Sequence, residues 1–315
     1  MKVIIFLPCY NEEATLPTAL AALPRALPGA DAVELMVVDD GSRDGTAAVA
    51  RALGVHHVIR HKRNQGLAAA FRTALDAALA RGADVIVGTD ADNQYAGADV
   101  AKLAAPVIAG EADVVIGCRD IDAIPHFSPM KKALQRLGSG VVRMLSGLKV
   151  SDATSGFRAY SREAALRLVV LSTFTYTLES IIEAGYKGLT VVEVPIGVNP
   201  PTRPSRLFRS VPEYLRQSLN TITRAYVLFR PLRVLGTVGV LILGVGLFLL
   251  GRFFYYYATV PGPTGHVQSV IVGGVILLLG FQVIIIALLA DLIAANRRLL
   301  EDILYRVKLG QFPRP

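Results

Sequence analysis

Five short apolar runs rich in valine and isoleucine punctuate the first 120 residues: "KVIIFLP", "VELMVVDD", "VHHVIR", "ADVIVGTD" and "ADVVIGCRD". Between them lie stretches with helical spacing, as where Leu67, Phe71, Ala74, Leu75, Ala78 and Leu79 recur on one face. Nearly continuous apolar strands alternating with helices predict an α/β domain built on a mostly parallel sheet covered on both faces. In such sheets ligands bind beyond the carboxyl ends of the strands. Polar residues gather where that edge is expected. Pro8, Tyr10, Asn11 and Glu12 follow the first run, Asp39 and Asp40 end the second, and Asp90 and Asp92 end a later one.

Two longer apolar runs close the chain. Residues 234–257 carry a single charge, Arg252, and residues 267–290 carry none. At about 1.5 Å rise per residue each reaches across a hydrocarbon core of roughly 30 Å; the alternative is a buried helical hairpin of a soluble protein. The linker "ATVPGPTGH" lacks lysine and arginine, whereas Arg209, Arg216, Arg224, Arg230 and Arg233 precede the first run and Arg297, Arg298, Arg306 and Lys308 follow the second. The positive-inside rule then puts both flanks, and the N-terminal domain with them, in the cytoplasm of a two-span membrane protein. No signal peptide is expected, since "VIIFLP" is too short for its apolar region. Before the spans, Ser210 and Glu213 form a capping-box pattern, and Val211, Leu215, Leu219, Ile222 and Tyr226 recur at helical spacing, so an amphipathic juxtamembrane helix is expected over 209–231.

Composition agrees with this division. The chain is 52% hydrophobic and 18% charged, and its net charge of +8 is concentrated beside the spans. That suits an anionic leaflet or a phosphate-bearing lipid rather than nucleic acid, because no aromatic residues interleave with the basic ones. Two cysteines, Cys9 and Cys118, do not make a disulfide framework.

Several acidic strand ends on one edge repel one another unless a cation or ligand donors compensate. Neither a GxGxxG fingerprint nor a P-loop is present, so a bound phosphate must be neutralised in another way. Carboxylates that hold Mg²⁺ or Mn²⁺ are one solution, as both ions accept hard oxygen ligands. On spacing alone, "VGTDADNQY" reads first as a polar turn that ends a buried strand.

The ordered set "LPCYNEEATL", "VVDDGSRDGT", "NQGLAAAFRTAL", "TDADNQ", "VIGCRD", "SDATSGFRAYSREA" and "EAGYKGLTVVEVPI", with the "GFQVIIIALLADLIAANRRLLEDILYRV" tail, resembles the polyprenyl-phosphate glycosyltransferases of glycosyltransferase family 2. These are the dolichyl-phosphate mannose synthase-like and bacterial undecaprenyl-phosphate sugar transferases. The resemblance implies a GT-A catalytic domain over residues 1–208, spans over 232–257 and 267–293 joined by an external loop over 258–266, and a cytoplasmic helix or tail over 294–315. It implies transfer of one hexose, with inversion, from a UDP- or GDP-sugar to an undecaprenyl or dolichyl phosphate, and it leaves homo-oligomerisation open. Transfer to a lipid hydroxyl or polysaccharide, and a non-catalytic membrane partner that keeps only the fold, are the competing expectations.

Carried over by motif, Pro8, Tyr10, Glu12, Val38 and Asp40 are expected to contact the nucleoside, and Asp90, Ala91, Asp92, Arg119 and Arg206 the rest of the donor. Asp90, Asp92 and Gln94 are expected to hold the divalent metal. Glu12 also fits a helix start and Asp39 the "GS" turn. Asp92, Arg119 and Asp152 are the catalytic candidates, with Asp152 either a base or an orienting group. Lys131, Arg136, Arg158 and Arg203 are candidates for the acceptor phosphate, against solvated or ion-paired alternatives. After "EVPI" this chain has "GVNPPTRPSRLF", shorter and richer in proline than the family pattern, with Arg206 where relatives place a lysine.

Overall fold

The computed structural model describes residues 1–120, 129–171, 176–200, 231–260 and 267–313. The expected juxtamembrane helix, Arg203, Arg206 and most of the external loop therefore lie outside the described residues, as does the side chain of Lys131. The chain forms two compact units, residues 1–222 with 304–315, and residues 223–303.

The first unit is built on a seven-stranded sheet: β1 (Lys2–Cys9), β2 (Ala32–Asp39), β3 (His57–Arg60), β4 (Val85–Gly88), β5 (Val114–Arg119), β6 (Arg158–Ser161) and β7 (Val191–Ile196). Its order is β3-β2-β1-β4-β6-β5-β7. The connections run through helices α1 (Leu16–Ala21), α2 (Thr46–Ala52), α3 (Leu67–Ala80), α4 (Val100–Ile108), α5 (Pro129–Ser146), α6 (Arg162–Arg167) and α7 (Thr177–Tyr186). The five predicted strands are present, and Val3 to Leu7 are fully buried, as expected of a strand covered on both faces. Two short strands escaped the sequence pattern. β6 has only four residues and runs antiparallel between β4 and β5, and β7 pairs parallel with β5 at the sheet edge.

The order of winding decides where a ligand can sit. From β1 the chain moves outward to β2 and β3, then returns through α3 to β4 on the other side of β1. A crevice opens where the direction reverses, beyond the carboxyl ends of β1 and β4. The apolar face of α3 that the spacing predicted is buried, from Ala68 through Phe71 and Ala74 to Leu79.

The second unit contains α8 (Pro231–Thr259) and most of α9 (Val267–Gln311). Both are long and apolar enough to cross a bilayer, and only 11% and 17% of their most apolar stretches are buried. That exposure argues against the core hairpin of a soluble protein. Apart from Pro231 at the start of α8, their buried positions are small and spaced by seven: Gly239 and Gly246 on α8, Gly273, Gly280 and Ala287 on α9. A Cβ on Gly246 would lie 2.9 Å from the Leu277 amide nitrogen, and one on Gly280 2.7 Å from that of Leu243. The two backbones thus approach as closely as packing in lipid requires, where apolar side chains gain nothing by leaving acyl chains.

α9 is one helix of 45 residues, where a separate helix or tail was expected after residue 293. The reason is local: no proline interrupts it before Pro313. Its last residues belong to the first unit. The Tyr305 hydroxyl donates to Glu163 at 3.0 Å, Arg167 lies over the Tyr305 ring, Lys308 pairs with Asp76 at 2.8 Å, and Arg162 donates to the Phe312 carbonyl.

Gly246→Leu should lower the stability of the hairpin by about 1–3 kcal/mol through overpacking, read as a reduced thermal midpoint in detergent. Gly244→Leu, on the same helix but where an added Cβ would meet no atom within 4 Å, should leave the midpoint unchanged.

Candidate active site

Register brings the first expected pair together. Pro8 and Val38 are direct partners in the β1–β2 ladder, at the carboxyl edge. Beyond them the "YNEE" and "GSRDGT" turns are stitched to each other. The Asn11 amide donates to Ser42 Oγ at 2.9 Å, the Arg43 amide to Asn11 Oδ1 at 2.8 Å, and the Glu12 amide to Thr46 Oγ1 at 2.9 Å. Glu12 is buried and its carboxylate accepts the Thr15 hydroxyl at 2.6 Å, so it supports the start of α1.

Asp39 and Asp40 have separate partners. Asp40 accepts the amides of Gln65 and Gly66 at 2.8 Å each and lies 2.7 Å from His61 Nδ1. Its carboxylate thereby anchors the turn into α3. Asp39 holds the Ser42 amide at 2.9 Å, as the turn reading required. Its other oxygen is buried 3.1 Å from Arg60 Nε without hydrogen-bond geometry.

Next to these turns lies a cavity of about 600 Å³. Tyr10, Ser42 and Arg43 form one wall, and Arg60, His61, Lys62, Arg63 and Asn64 the other. Of these only Tyr10 was expected. The signal was nevertheless in the sequence, since the basic run "RHKRNQG" leaves β3 at the same edge as the acidic strand ends.

The acidic turn follows β4. Asp90, Asp92 and Gln94 are partly buried and Ala91 is buried beneath them. Asp92 Oδ1 accepts the Gln94 amide at 3.1 Å, and Asn93 between them has φ +57°. The turn and the metal-ligand readings are compatible, because the backbone forms the turn while the carboxylates project from it. Gly156 faces Asp90, where a Cβ would stand 3.4 Å from both carboxylate oxygens and 3.3 Å from Tyr176 Oη. The Gly156 peptide is clamped on both sides, its N–H donating to Tyr95 Oη and its carbonyl accepting from Tyr176, each at 3.0 Å. Tyr176 cannot yield readily, since its ring stacks on Phe71 with centroids 4.0 Å apart. A glycine thus keeps open the space over Asp90.

Among the described residues no three of His, Cys, Asp and Glu come together as a closed metal site. The Asp90–Gln94 turn carries two carboxylates and a carboxamide, hard-oxygen donors within five residues of one another. This fits Mg²⁺ or Mn²⁺, which often bind through one or two carboxylates and take substrate phosphate and water for the rest.

Arg119 ends β5 and reaches the same edge. It makes a bidentate pair with Asp152, Nε to Oδ2 at 2.6 Å and Nη2 to Oδ1 at 2.9 Å, and donates to Thr154 Oγ1 at 2.8 Å. Burial works against the guanidinium, but the hydrogen-bonded Asp152 carboxylate and the nearby Asp90 outweigh it and raise its pKa. Burial likewise opposes the Asp152 carboxylate, and Arg119 and Thr154 outweigh it, holding Asp152 below the ordinary carboxylate range. An ionised carboxylate so fully engaged is not poised as a general base. Asp152 orients Arg119. Tyr95, pushed up to about 12 by burial, stays neutral.

Arg158 requires a correction. It is completely buried, donating to the carbonyls of Ala153, Ser155 and Thr177 and to Ser180 Oγ, so it braces the 152–157 loop from below and does not face a phosphate. Arg136 is exposed on α5, one residue from Gln135, whose amide donates to Thr154 at 3.2 Å. That contact, which sequence reasoning missed, places this turn of α5 beside the Arg119 cluster.

Solved structures share this architecture. Glucosyl-3-phosphoglycerate synthase from Mycobacterium tuberculosis, in complex with Mn²⁺, UDP-glucose and phosphoglyceric acid, aligns with a TM-score of 0.57 and 22% identity over 72% of this chain and 78% of that one. The sheet is that of a GT-A type domain. The chain belongs to glycosyl transferase family 2, whose model matches residues 4–168, just over half of its length. Among curated relatives, polyprenol monophosphomannose synthase of Mycolicibacterium smegmatis is 33% identical over 206 residues, covering 62% of this chain and 76% of that protein. Undecaprenyl-phosphate mannosyltransferase of Micrococcus luteus is 32% identical over 207 residues, covering 62% and 83%.

Because its folded pKa is depressed, Asp152 contributes stability that is present above the unfolded carboxyl pKa of about 3.9 and is lost as the pH falls through the lower folded value. Asp152→Asn should therefore cost about 3–5 kcal/mol, with the difference from wild type constant between about pH 9 and 5 and shrinking only below about pH 4. Denaturant melts of both proteins across that range check this.

Proposed function

We propose that this chain transfers one hexose from a nucleotide-diphosphate sugar to a polyprenyl phosphate at a membrane surface. The observation that carries the reading is the juxtaposition, at one sheet edge, of the Asp90–Asp92–Gln94 turn, the ion-paired Arg119 and the cationic cavity. The names of the two curated relatives support the acceptor class.

In this reading the nucleoside occupies the cavity beside Tyr10, its wall of arginine and lysine facing the diphosphate. Asp90, Asp92 and Gln94 would hold Mg²⁺ or Mn²⁺, which when bound stabilises negative charge on the departing diphosphate as a Lewis acid. Arg119, kept charged and aimed by Asp152, adds a fixed positive charge at the same edge. The acceptor is already an anion, largely dianionic near neutral pH given a second phosphate pKa of about 6. Its oxygen attacks the anomeric carbon, the bond from that carbon to the diphosphate breaks, and no proton needs removal. The engagement of Asp152 by Arg119 is consistent with chemistry that requires no base. Positioning and charge neutralisation are the protein's tasks.

The two apolar helices anchor the enzyme where its lipid acceptor resides, with the catalytic unit on the cytoplasmic side as the arginine asymmetry indicates. Lys131 and Arg136 on α5, and Arg203 and Arg206 beyond β7, are the proposed grips on the acceptor and donor phosphates. Their cationic chemistry is suited to two polyanions that must meet.

Purified protein, supplied with UDP- and GDP-sugars and a short polyprenyl phosphate, should yield a lipid-linked monosaccharide detected by mass. Asp92→Ala should lower that transfer by roughly 100-fold or more while the protein remains folded. EDTA should abolish transfer and added Mg²⁺ or Mn²⁺ restore it. Unchanged turnover in the variant, or full activity in EDTA, would exclude this role for the acidic turn.

A further inference from the structure

The acidic turn is fastened on its outer side by the segment that leaves β7. Tyr95 and Val198 form an antiparallel bridge, the Ala96 amide donates to the Gly197 carbonyl at 3.3 Å, and the Gly197 amide donates to Asp99 at 2.6 Å. Asn199 extends this ladder in a way a bare backbone cannot. Its amide N–H donates to the Gln94 carbonyl at 2.8 Å, and its side-chain Nδ2 donates to the carbonyls of Asn93 at 2.9 Å and Tyr95 at 3.4 Å. One residue thereby reaches three successive carbonyls of the turn.

Asn93 is the reason this matters. Its φ of +57° is a left-handed conformation, which asparagine tolerates better than other residues with a side chain. Asp92 and Gln94 flank it directly, so the direction of both side chains follows from the backbone at Asn93. The carbonyl of that residue is the one that Asn199 holds by its side chain.

We infer that Asn199 is a positioning residue for the metal site: its carboxamide holds Asn93 left-handed and so keeps Asp92 and Gln94 aimed at one ion. The inference rests on the metal-dependent reading above. Partners that orient a ligand from outside it typically govern metal affinity by roughly 10- to 100-fold. Asn199→Ala removes the two side-chain bonds and leaves the backbone bond to Gln94. Asn199→Asp keeps the shape but turns an acceptor toward two carbonyls.

The test is a titration of the full-length detergent-solubilised protein with Mn²⁺ in the presence of UDP or GDP, following the loss of the free-ion EPR signal. Asn199→Ala and Asn199→Asp should each raise the Mn²⁺ dissociation constant at least about tenfold, and excess Mn²⁺ should restore kcat. If the alanine variant fails to fold, the near-isosteric aspartate variant carries the same readout. Asp92→Ala serves as the reference. Wild-type Mn²⁺ affinity in both Asn199 variants, whether or not their thermal midpoints fall, together with loss in Asp92→Ala, would overturn the positioning role and leave the metal site standing. Wild-type affinity in Asp92→Ala would overturn both.

Discussion

Negative charge converging on one sheet edge is the constraint that shapes this protein. Asp39 ends β2 and Asp40 follows it, Asp90 and Asp92 follow β4, and Asp152 arrives from a loop, all at the carboxyl ends of parallel strands. Carboxylates so placed repel unless each finds donors, and the fold supplies them individually. Asp40 takes two amides at the start of α3, Asp39 the Ser42 amide, and Asp152 the Arg119 fork. Asp90 and Asp92 differ in being partly exposed and in lying where Gly156 leaves room. The fully buried acids are held by protein donors, and the partly exposed pair lies where the proposed function places a divalent cation.

The inserted antiparallel strand is what makes the arrangement possible. Because β6 lies between β4 and β5, the loop before it passes over the end of β4, bringing Gly156 to Asp90 and Asp152 to Arg119. Arg158, at the start of that strand, is wholly buried and ties the loop to α7 through four hydrogen bonds, two of them to loop carbonyls. A buried guanidinium is stable only when its donors are satisfied so completely. The same loop therefore serves sheet topology and site geometry together.

The helical hairpin obeys a different solvent. In the catalytic unit large side chains fill the core, whereas α8 and α9 meet through glycines at intervals of seven and turn their leucines, isoleucines and phenylalanines outward. Apolar side chains already have suitable surroundings in a bilayer, so association depends on close backbone contact.

Much of this was legible in the chain itself. Strands β1 to β5, the face of α3 and the two spans follow from periodicity and run length, which are local properties set by which residues must avoid water. The acidic strand ends and Arg119 stood out as a cluster because parallel strands share a carboxyl edge. Other features were invisible for physical reasons. A four-residue strand such as β6 has too few positions to show alternation. Whether a charged residue faces a ligand or the protein depends on partners distant in sequence. Asp152 meets Arg119 across 33 positions, Arg158 turns inward to α7, and Asn199 finds Asn93 across 106. The sequence by itself determined strands β1 to β5, the buried face of α3 and the two long apolar helices, because those answer to local hydrophobic pattern; only the tertiary structure decided the inserted strand β6 and which polar groups pair with one another, because those depend on long-range pairing at the sheet edge.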